Sequence, residues 1–414
     1  MSASELGIGI EDLNVYLGCL KVPVRSFFQA RGLDERRYGN LQMQDRSIAL
    51  PHEDPVTHAV NAAKPIVDAL GDAERASIEV LVTASESGVD MSKSIASYVH
   101  RYLGLSGRCR LLEVKQACFA TTGAVQLASG YLASGISPGA RALVIGTDVA
   151  IVNERAQYAE PTIGTGAAAL LLGPRPRVFH PDHGAFGNHS FETMDSARPR
   201  PDFEIADVDG SLFAYLDCLD RSFAAYADRV EGVDFERTFD YLAFHTPFVG
   251  LVKAAHRKMM RSTGADPGQV AADYERRVAP SLVYPGQVGN LCSASVYLAL
   301  ASIIDSGNFD EGTRVGLFSY GSGCSSEFFS GRIDMESKRT LAKHRIAQRL
   351  ADRIEITFEQ YERLLEENMK CLVPVADRVL ETAPYDALLD RIPDRDPMLV
   401  LKRIRHFHRE YDWV

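Results

Sequence analysis

The chain has 414 residues, of which 46% are hydrophobic and 24% charged, and it carries a formal net charge of −10 at pH 7. This negative balance disfavours a nucleic-acid partner, no apolar run is long enough to cross a bilayer, and the N-terminus lacks a basic secretory signal, so we expect a cytoplasmic enzyme. The seven cysteines lie far apart without a Cys-x-x-Cys pair, which favours reduced thiols over disulfides or a zinc site.

Strands and helices alternate along the first half of the chain. β-Branched and aliphatic runs bounded by polar segments predict buried strands, and runs of small apolar residues at helical spacing predict helices. The predicted strands cover residues 7–17, 78–83, 111–114, 141–146 and 166–172, and the predicted helices cover 55–70, 92–103 and 119–133.

Cys118 falls at the junction between the strand at 111–114 and the helix at 119–133. The first turn of a helix presents free N–H groups and the positive end of the helix dipole, so we expect a thiolate there. A nucleophile between a strand and a helix is also exposed above the edge of the sheet. Considered alone, a cysteine in such an apolar stretch is more often a small hydrophobic residue of the core than a nucleophile.

The second half repeats the order of the first. The strand at 240–244 leads into His245 as the strand at 78–83 leads into Glu86, and Asn290 opens a helix of small residues as Cys118 does. The ends of the two helices and the strands that follow them also match in spacing, which predicts a duplication. We therefore expect an α/β fold of two similar halves, with all four of these residues at one sheet edge.

The polar connection at 198–209 is the predicted boundary between the halves, which gives an N-terminal half over 1–200 and a C-terminal half over 201–414. After about residue 332 the composition changes to charged amphipathic helices, predicted over 338–353 and 358–369. We interpret this segment as a helical appendage to the core.

A thiol, a carboxylate and an imidazole at strand ends suit acyl-thioester chemistry with carbon–carbon bond formation. Cys118 would take up the acyl group, and Glu86 would remove a proton from its methyl group if burial raises the pKa of the carboxyl. His245 would assist the acceptor carbonyl, and backbone N–H groups near Cys118 and in residues 321–323 would hold oxyanions. Each residue also has a structural alternative: a helix cap for Glu86 or Asn290, and a strand-end histidine for His245.

Several spaced motifs make the chain resemble the hydroxymethylglutaryl (HMG) thioester synthases of the thiolase-like superfamily over most of its length. They include Ser-Glu-Ser at 85–87, Gln-Ala-Cys-Phe at 116–119, and the segments 161–167, 244–248, 288–290 and 318–323. The resemblance implies a five-layer αβαβα homodimer in which Glu86 is the general base and acid, Cys118 the acylated nucleophile and His245 the residue that positions and protonates the acceptor. The ligand contacts it implies are Thr162, Ser211, Asn290 and Ser322.

The chain departs from family members that use coenzyme A. Those members place lysines five and nine residues after the histidine, whereas this chain has Gly250 and Ala254 there, with Lys253 as the only nearby lysine and a further candidate for substrate binding. Losing these lysines removes charge-assisted contacts to nucleotide phosphates. The opening segment and residues 50–57 are more similar to the subgroup that acts in polyketide β-branching.

Members of that subgroup take acetyl from a donor acyl-carrier protein and add it to a β-ketoacyl chain on another carrier protein. The thioester arm would then be phosphopantetheine supplied by the carrier, or coenzyme A in the alternative, with no bound cofactor. Because carrier proteins are acidic, local basic clusters are expected to guide docking. The candidates are Arg31, Arg257, Lys258, Arg261 and the segment 402–405.

Three alternatives stay open: the coenzyme A enzyme of mevalonate synthesis, a decarboxylating ketosynthase of the same fold, and a catalytically silent partner subunit. A dinucleotide site is discounted because Gly164 and Gly166 lack the rest of the fingerprint. His180, Asp182 and His183 lack a fourth ligand at suitable spacing, so no metal site is predicted there.

Overall fold

The computed structural model describes residues 7–149, 159–310, 312–393 and 395–414. The strands are β1 (Gly9–Tyr16), β2 (Leu20–Pro23), β3 (Asp45–Ile48), β4 (Ile78–Ala84), β5 (Arg110–Val114), β6 (Arg141–Asp148), β7 (Gly166–Gly173), β8 (His180–Ser190), β9 (Ser196–Arg200), β10 (Phe203–Ala206), β11 (Tyr241–Phe244), β12 (Thr313–Gly321), β13 (Ser325–Ile333), β14 (Ile354–Glu355), β15 (Asp377–Val379), β16 (Leu399–Arg405) and β17 (His408–Trp413).

The α-helices alternate with these strands through most of the chain. They are α1 (Val24–Arg31), α2 (Glu35–Leu41), α3 (Pro55–Asp68), α4 (Asp72–Ala76), α5 (Ile95–Leu103), α6 (Ala120–Ala133), α7 (Val208–Arg229), α8 (Val249–Ser262), α9 (Pro267–Asp273), α10 (Pro285–Val288), α11 (Ser295–Ser306), α12 (Met335–Ala342), α13 (Ile346–Ala351), α14 (Phe358–Asn368) and α15 (Ala383–Leu389). None of the helices in the described part of the chain is long and apolar enough to span a membrane.

Two sheets carry the same arrangement of strands, as the predicted duplication requires. In the first sheet β4 runs parallel to β6, β6 antiparallel to β7, and β7 antiparallel to β1. In the second sheet β11, β12, β13 and β8 repeat this sequence of one parallel and two antiparallel pairings. The first sheet adds β5 at its outer edge, beside β4. The prediction of two similar halves is confirmed.

Three large hydrophobic clusters of the described residues lie between the sheets and helices and define five layers. Side chains of α6 and α11 pack between the two sheets, α3 and α5 cover the other face of the first sheet, and α7 and α8 cover the other face of the second. The central helices consist largely of Ala, Gly, Ser and Thr with a few aliphatic residues, so their backbones approach the sheets closely. This layering is the predicted αβαβα architecture.

Some boundaries differ from the sequence-based expectations. The chain enters the second sheet at His180, whereas the boundary between the halves was expected near residue 200. The polar segment expected there as a connection forms the hairpin of β9 and β10 and leads into the 22-residue helix α7, which was not predicted. After residue 332 the expected helices are present, although left-handed Arg345 (φ 48°) divides the first of them, and an unpredicted three-stranded sheet of β15, β16 and β17 follows.

Candidate active site

The structure brings a carboxylate and two thiols together at the edge where β4 ends and α6 begins. The carboxylate of Glu86 and the sulfur atoms of Cys118 and Cys292 all lie within 4.8 Å of one another. Glu86 follows β4, Cys118 precedes α6, and Cys292 lies in the short helical turn that precedes α11. An acyl-transfer nucleophile must keep its sulfur free, so we assign this cluster to thioester chemistry and not to a metal ion.

The turn that carries Cys118 packs tightly against the end of β12. Ala117 adopts a left-handed backbone conformation (φ 42°), and the Phe119 N–H donates to the Gln116 carbonyl at 3.0 Å. A Cβ atom at Gly321 would lie only 2.4 Å from the backbone nitrogen of Phe119, so only glycine fits there. The second half of the chain therefore supports the nucleophile of the first half directly.

Asp148, at the end of β6, fixes the segments that hold the carboxylate and the second thiol. One of its carboxylate oxygens accepts the Glu86 N–H at 2.9 Å and the hydroxyls of Ser85 and Ser87 at 3.0 and 3.1 Å. The other oxygen accepts the N–H of Ser293 at 3.0 Å and its hydroxyl at 2.5 Å. One buried side chain thus sets the position of Glu86 relative to Cys292.

Glu86 has the electrostatic environment of a general base. Burial raises its pKa to about 7, against the opposing influence of Arg198, whose guanidinium lies 3.7 Å from the carboxylate. The neighbouring acids Asp148 and Glu204 raise this pKa further. The Glu86 side chain keeps 21% of its surface exposed, so a substrate can reach it. A carboxyl group with a pKa near 7 can accept and return a proton at neutral pH.

The expectation of a thiolate at Cys118 was wrong. Contact with the Cys292 thiol lowers the pKa of Cys118, but burial and the nearby carboxylates of Glu86, Asp148 and Glu204 outweigh it, so the pKa lies above its ordinary value. The dipole of α6 favours a thiolate, but the acidic groups that the end of β6, the loop after β4 and the strand β10 bring to the site oppose it. Cys118 is therefore a thiol in the free enzyme and needs a proton acceptor before it can attack.

His245 follows β11 and is buried beside aromatic rings. Its backbone N–H donates to the Phe318 carbonyl at 2.7 Å, and its own carbonyl accepts the Tyr215 hydroxyl at 2.8 Å. The rings of Tyr215 and Tyr320 lie 6.3 Å from the imidazole. Burial lowers the pKa of His245 to about 3, so the imidazole is neutral and can donate a hydrogen bond from one ring nitrogen.

The next residue links His245 to the segment of the second thiol. The Thr246 N–H donates to the Ser295 hydroxyl at 3.2 Å, and Ser295 begins α11, three residues after Cys292. The ends of β4 and β11 and the start of α11 therefore form one continuous wall.

Two residues of the predicted ligand set lie side by side. The Asn290 N–H donates to the Thr162 carbonyl at 2.8 Å, and the Asn290 carbonyl accepts the Gly164 N–H at 2.9 Å. The Asn290 side chain accepts the Cys292 N–H at 2.9 Å, which connects this pair to the thiol cluster. Gly289 permits the approach because its φ is 92° and a Cβ there would lie 2.8 Å from the Thr162 carbonyl oxygen.

Ser211 and Ser322, the other two residues of the predicted ligand set, are half-buried and lie on elements of the second half of the chain. Ser211 lies in the first turn of α7, and Ser322 lies in the turn between β12 and β13 beside Tyr320. The prediction that the Gly323 N–H holds an oxyanion was wrong, because this N–H already donates to Asp195 at 2.8 Å. Asp195 also accepts the Tyr320 hydroxyl at 2.8 Å, so this carboxylate orders the turn.

Arg31 does not have the environment of a docking residue. Its guanidinium forms two 3.0 Å hydrogen bonds to the buried Glu160 and one of 2.7 Å to Glu362, and only 15% of the side chain is exposed. We correct the predicted role of Arg31 to an internal one, which joins α1 to α14. A local excess of basic residues could not reveal an acidic partner 129 positions away.

The candidates Arg257, Lys258 and Arg261 lie on α8, whereas the segment 402–405 lies in β16, where Arg403 and Arg405 pair with Glu410. Lys253, Arg257 and Arg261 line a cavity of about 480 Å³ with Phe248 and Tyr274. Lys253 lies 4.8 Å from the centre of the Tyr274 ring, and Lys258 pairs with Asp220. Among the described residues, Arg257 and Arg261 have no side-chain hydrogen bond or ion pair, so their charges are available.

Of the residues considered for a metal, Asp182 pairs instead with Arg314 and Ser330.

Sequence reasoning missed three residues of the site: Cys292, Asp148 and Arg198. Asp148 ends a predicted strand at the same edge as Glu86, which was a signal that it could lie there. Cys292 follows the predicted helix opener Asn290 by two residues, but its left-handed backbone (φ 49°) has no signature in the sequence. Arg198 reaches Glu86 from an unpredicted hairpin.

Comparison with known proteins identifies the family to which the chain is similar. Family models described as the N-terminal and C-terminal parts of hydroxymethylglutaryl-coenzyme A synthase match residues 6–177 and 268–375. The chain is 44% identical to PksG, a polyketide biosynthesis 3-hydroxy-3-methylglutaryl-ACP synthase of Bacillus subtilis (strain 168), over 98% of this chain and 99% of that protein. It is 30% identical to a hydroxymethylglutaryl-CoA synthase of Enterococcus faecalis, over 87% of this chain and 92% of that one.

A solved structure shows the same fold. The HMG synthase of the curacin biosynthetic pathway, in complex with acetyl donor-ACP, matches with a TM-score of 0.95 and 46% identity, over 98% of this chain and 100% of that one.

Proposed function

This chain belongs to the hydroxymethylglutaryl-coenzyme A synthase family, and we propose that it condenses an acetyl group with the β-ketone of a β-ketoacyl thioester on an acyl-carrier protein. The product is a 3-hydroxy-3-methylglutaryl-type thioester. The observation that carries the proposal is the position of the Glu86 carboxylate within 4.8 Å of the Cys118 sulfur, because a base must lie beside the acyl group from which it removes a proton.

In the first step Cys118 takes the acetyl group. Its sulfur attacks the thioester carbonyl of the donor, and the bond between that carbonyl and the donor sulfur breaks. The thiol proton of Cys118 must pass to a base and then to the departing thiolate of the phosphopantetheine arm. Glu86, with a pKa near 7, can hold this proton between the two events.

In the second step the acetyl group becomes a nucleophile. The Glu86 carboxylate removes a proton from the methyl group of acetyl-Cys118, and the enolate carbon forms a bond to the β-ketone carbon of the acceptor. Negative charge moves to the ketone oxygen, where neutral His245 donates a hydrogen bond and Glu86 can return its proton. Hydrolysis of the Cys118 thioester then releases the product as a carboxylate and restores the thiol.

The choice of a carrier protein over coenzyme A rests on α8 as well as on the relatives. Family members that use coenzyme A resemble this chain but carry a lysine at the position of Gly250. Here a Cβ at Gly250 would lie 1.8 Å from the Asn40 carbonyl oxygen, so a lysine cannot be placed without moving α2 or α8. The curacin enzyme has been crystallised with apo, holo and acetyl donor-ACP, which supports the same kind of donor here.

Arg257 and Arg261 are suited to guiding an acidic carrier protein, because their charges are available beside the cavity on α8. We also propose that a second carrier protein holds the acceptor chain, that the reaction serves polyketide β-branching, and that the enzyme is cytoplasmic. A homodimer is also proposed, since β5 is the edge strand of the first sheet and apolar side chains are exposed on β5 (Leu112), on α6 (Leu127) and after α6 (Ile136).

The donor can be tested by mass spectrometry of the Cys118 peptide after brief incubation with acetyl-carrier protein or acetyl-coenzyme A. We expect faster acetylation from the carrier protein. Fast acetylation from acetyl-coenzyme A alone would assign the chain to the coenzyme A reaction. Acceptance of a malonyl group with loss of carbon dioxide would instead indicate a decarboxylating ketosynthase, and a Cys118 unlabelled by every donor would indicate a silent subunit.

A further inference from the structure

Cys292 contacts both reactive groups of the site. Its sulfur lies within 4.8 Å of the Cys118 sulfur and within 4.8 Å of a Glu86 carboxylate oxygen, and it influences the pKa of both groups. The residue is buried, so bulk water does not surround the thiol. The proton that leaves Cys118 needs a route to Glu86, and Cys292 adjoins both ends of that route.

The backbone at Cys292 is held in an unfavourable conformation. Its φ of 49° lies in the left-handed region, which is unfavourable for a residue with a Cβ. The Asn290 side chain accepts its N–H at 2.9 Å, and the next residue, Ser293, is fixed by Asp148. Asp148 also holds the Glu86 N–H, so the same contacts that maintain the strain set the thiol against the carboxylate.

We propose that Cys292 is a catalytic residue that relays the Cys118 proton to Glu86 during acyl transfer. This proposal rests on the acyl transfer proposed above. As the Cys118 sulfur bonds to the acetyl carbon, its proton passes to the Cys292 sulfur and the Cys292 proton passes to the Glu86 carboxylate. When the donor's carbon–sulfur bond breaks, Glu86 protonates the leaving thiolate. Cys292 is again a thiol and Glu86 again a carboxylate, with the acetyl group on Cys118.

The electrostatics of the cluster suit a relay. Contact with Cys292 is the largest influence on Cys118 and lowers its pKa, opposing burial and the carboxylates. Cys292 itself keeps its proton, because its contact with Cys118, together with burial, raises its pKa well above the ordinary value. A protonated Cys292 can donate to Glu86 while it accepts from Cys118, whereas a permanent thiolate there could not.

The test compares Cys292→Ala and Cys292→Ser with Cys218→Ala as the control. Cys218 is also buried and also contacts a second cysteine, with its sulfur 3.5 Å from that of Cys324, but it lies on α7 outside the site. The first measurement is the pH dependence of iodoacetamide alkylation of Cys118, followed on its peptide without any acyl donor. The second is the rate of Cys118 acetylation by acetyl-carrier protein. Thermal melting reports whether each variant folds.

For Cys292→Ala we expect the alkylation midpoint to rise by about one pH unit and acetylation at pH 7 to slow about tenfold, since one pKa unit is a factor of ten. Cys292→Ser should recover part of both, because a hydroxyl can still donate and accept, and Cys218→Ala should change neither. Unchanged alkylation midpoints and acetylation rates in both Cys292 variants would overturn the relay. Equal losses of acetylation rate in Cys292→Ala and Cys292→Ser, with no shift of the alkylation midpoint, would also overturn it. If Cys292→Ala does not fold, the serine variant decides by the same criteria.

The relay and the proposed function fail in different ways. In one case the alkylation midpoint shifts in Cys292→Ala, but no acyl donor labels Cys118 in the wild type. This result would refute the proposed acyl transfer and the relay step within it, although it would still show that Cys292 influences the pKa of Cys118. Normal acetylation of both the wild type and Cys292→Ala would refute the relay alone.

Discussion

The Asp148 carboxylate accepts the Glu86 N–H at 2.9 Å, although the two residues lie 62 positions apart, Asp148 at the end of β6 and Glu86 in the loop after β4. Its second oxygen holds Ser293, which belongs to the other half of the chain. Glu86, the proposed general base, and the Cys292 thiol therefore keep a fixed spacing, although Glu86 lies in a loop and Cys292 in a short 3-10 turn. Such second-layer contacts determine how accurately reactive groups are placed.

Replacing Asp148 with asparagine should loosen this spacing. An asparagine side chain can accept with only one atom, so the Ser293 or Glu86 donors lose a partner in a buried site. We expect the free energy of unfolding to fall by about 1–3 kcal/mol and condensation to slow at least tenfold. Urea unfolding and a steady-state condensation assay measure the two effects. Asp217→Asn is the control, because Asp217 is exposed and only weakly paired with Arg221; equal effects of both changes would contradict this role.

Arg198 should set the pH at which condensation begins. Glu86 is active as the carboxylate, so the condensation rate should rise with pH through about 7. The guanidinium of Arg198 lowers the Glu86 pKa, and Arg198→Met removes this influence and should move the rising limb to higher pH. The pH profile of the condensation step measures the shift. Arg200→Met is the matched control on the same hairpin, since Arg200 pairs with Asp202 and is exposed. A limb that moves to lower pH would contradict the assignment.

The glycine on α8 gives a prediction about stability. Gly250→Ala places a methyl group against the Asn40 carbonyl oxygen, at a distance of 1.8 Å before relaxation, so we expect a loss of about 1–3 kcal/mol. Gly39→Ala, at a position in α2 where a Cβ would meet nothing within 4 Å, should be neutral or slightly stabilising. Chemical denaturation of both variants tests this contrast. Equal stability of Gly250→Ala and the wild type would show that a lysine could be accommodated there after all.

The two available arginines of α8 should affect the donor protein and not the chemistry. Reversing both charges, in Arg257→Glu with Arg261→Glu, should reduce the rate of Cys118 acetylation by acetyl-carrier protein about tenfold or more at low salt. Acetylation by acetyl-pantetheine, which carries no protein, should stay at the wild-type rate. The control is Arg363→Glu, an exposed arginine on α14 that pairs with Glu359. An equal loss with both donors would indicate damage to the site instead of weaker docking.

The sequence was sufficient to predict the parts of the fold that depend on local pattern. The strands β4, β6 and β7 and the helices α3 and α6 follow from runs of apolar and small residues, and the repeated spacing gave the two-half architecture. It could also place Glu86 and Cys118 near each other, because both follow strands whose ends meet at one sheet edge.

Features that depend on contacts between distant residues could not be predicted. The hairpin that carries Arg198 has the amino-acid composition of a polar connection, and the left-handed turn at Cys292 has no local signal in the sequence. The sign of the Cys118 pKa shift was wrong for the same reason, since the acids that raise it come from other strands. Arg31 was predicted to be available for docking because its partner Glu160 is distant in the sequence.

The central claim is that Glu86 removes the proton that creates the carbon nucleophile on acetyl-Cys118. The most direct measurement uses Glu86→Gln, rapidly mixed with acetyl-carrier protein and a β-ketoacyl-carrier protein, with intact-mass detection of Cys118 and of the acceptor. We expect acetyl-Cys118 to form, more slowly than in the wild type, and to persist without a condensed acceptor. Condensed product at the wild-type rate would contradict the account.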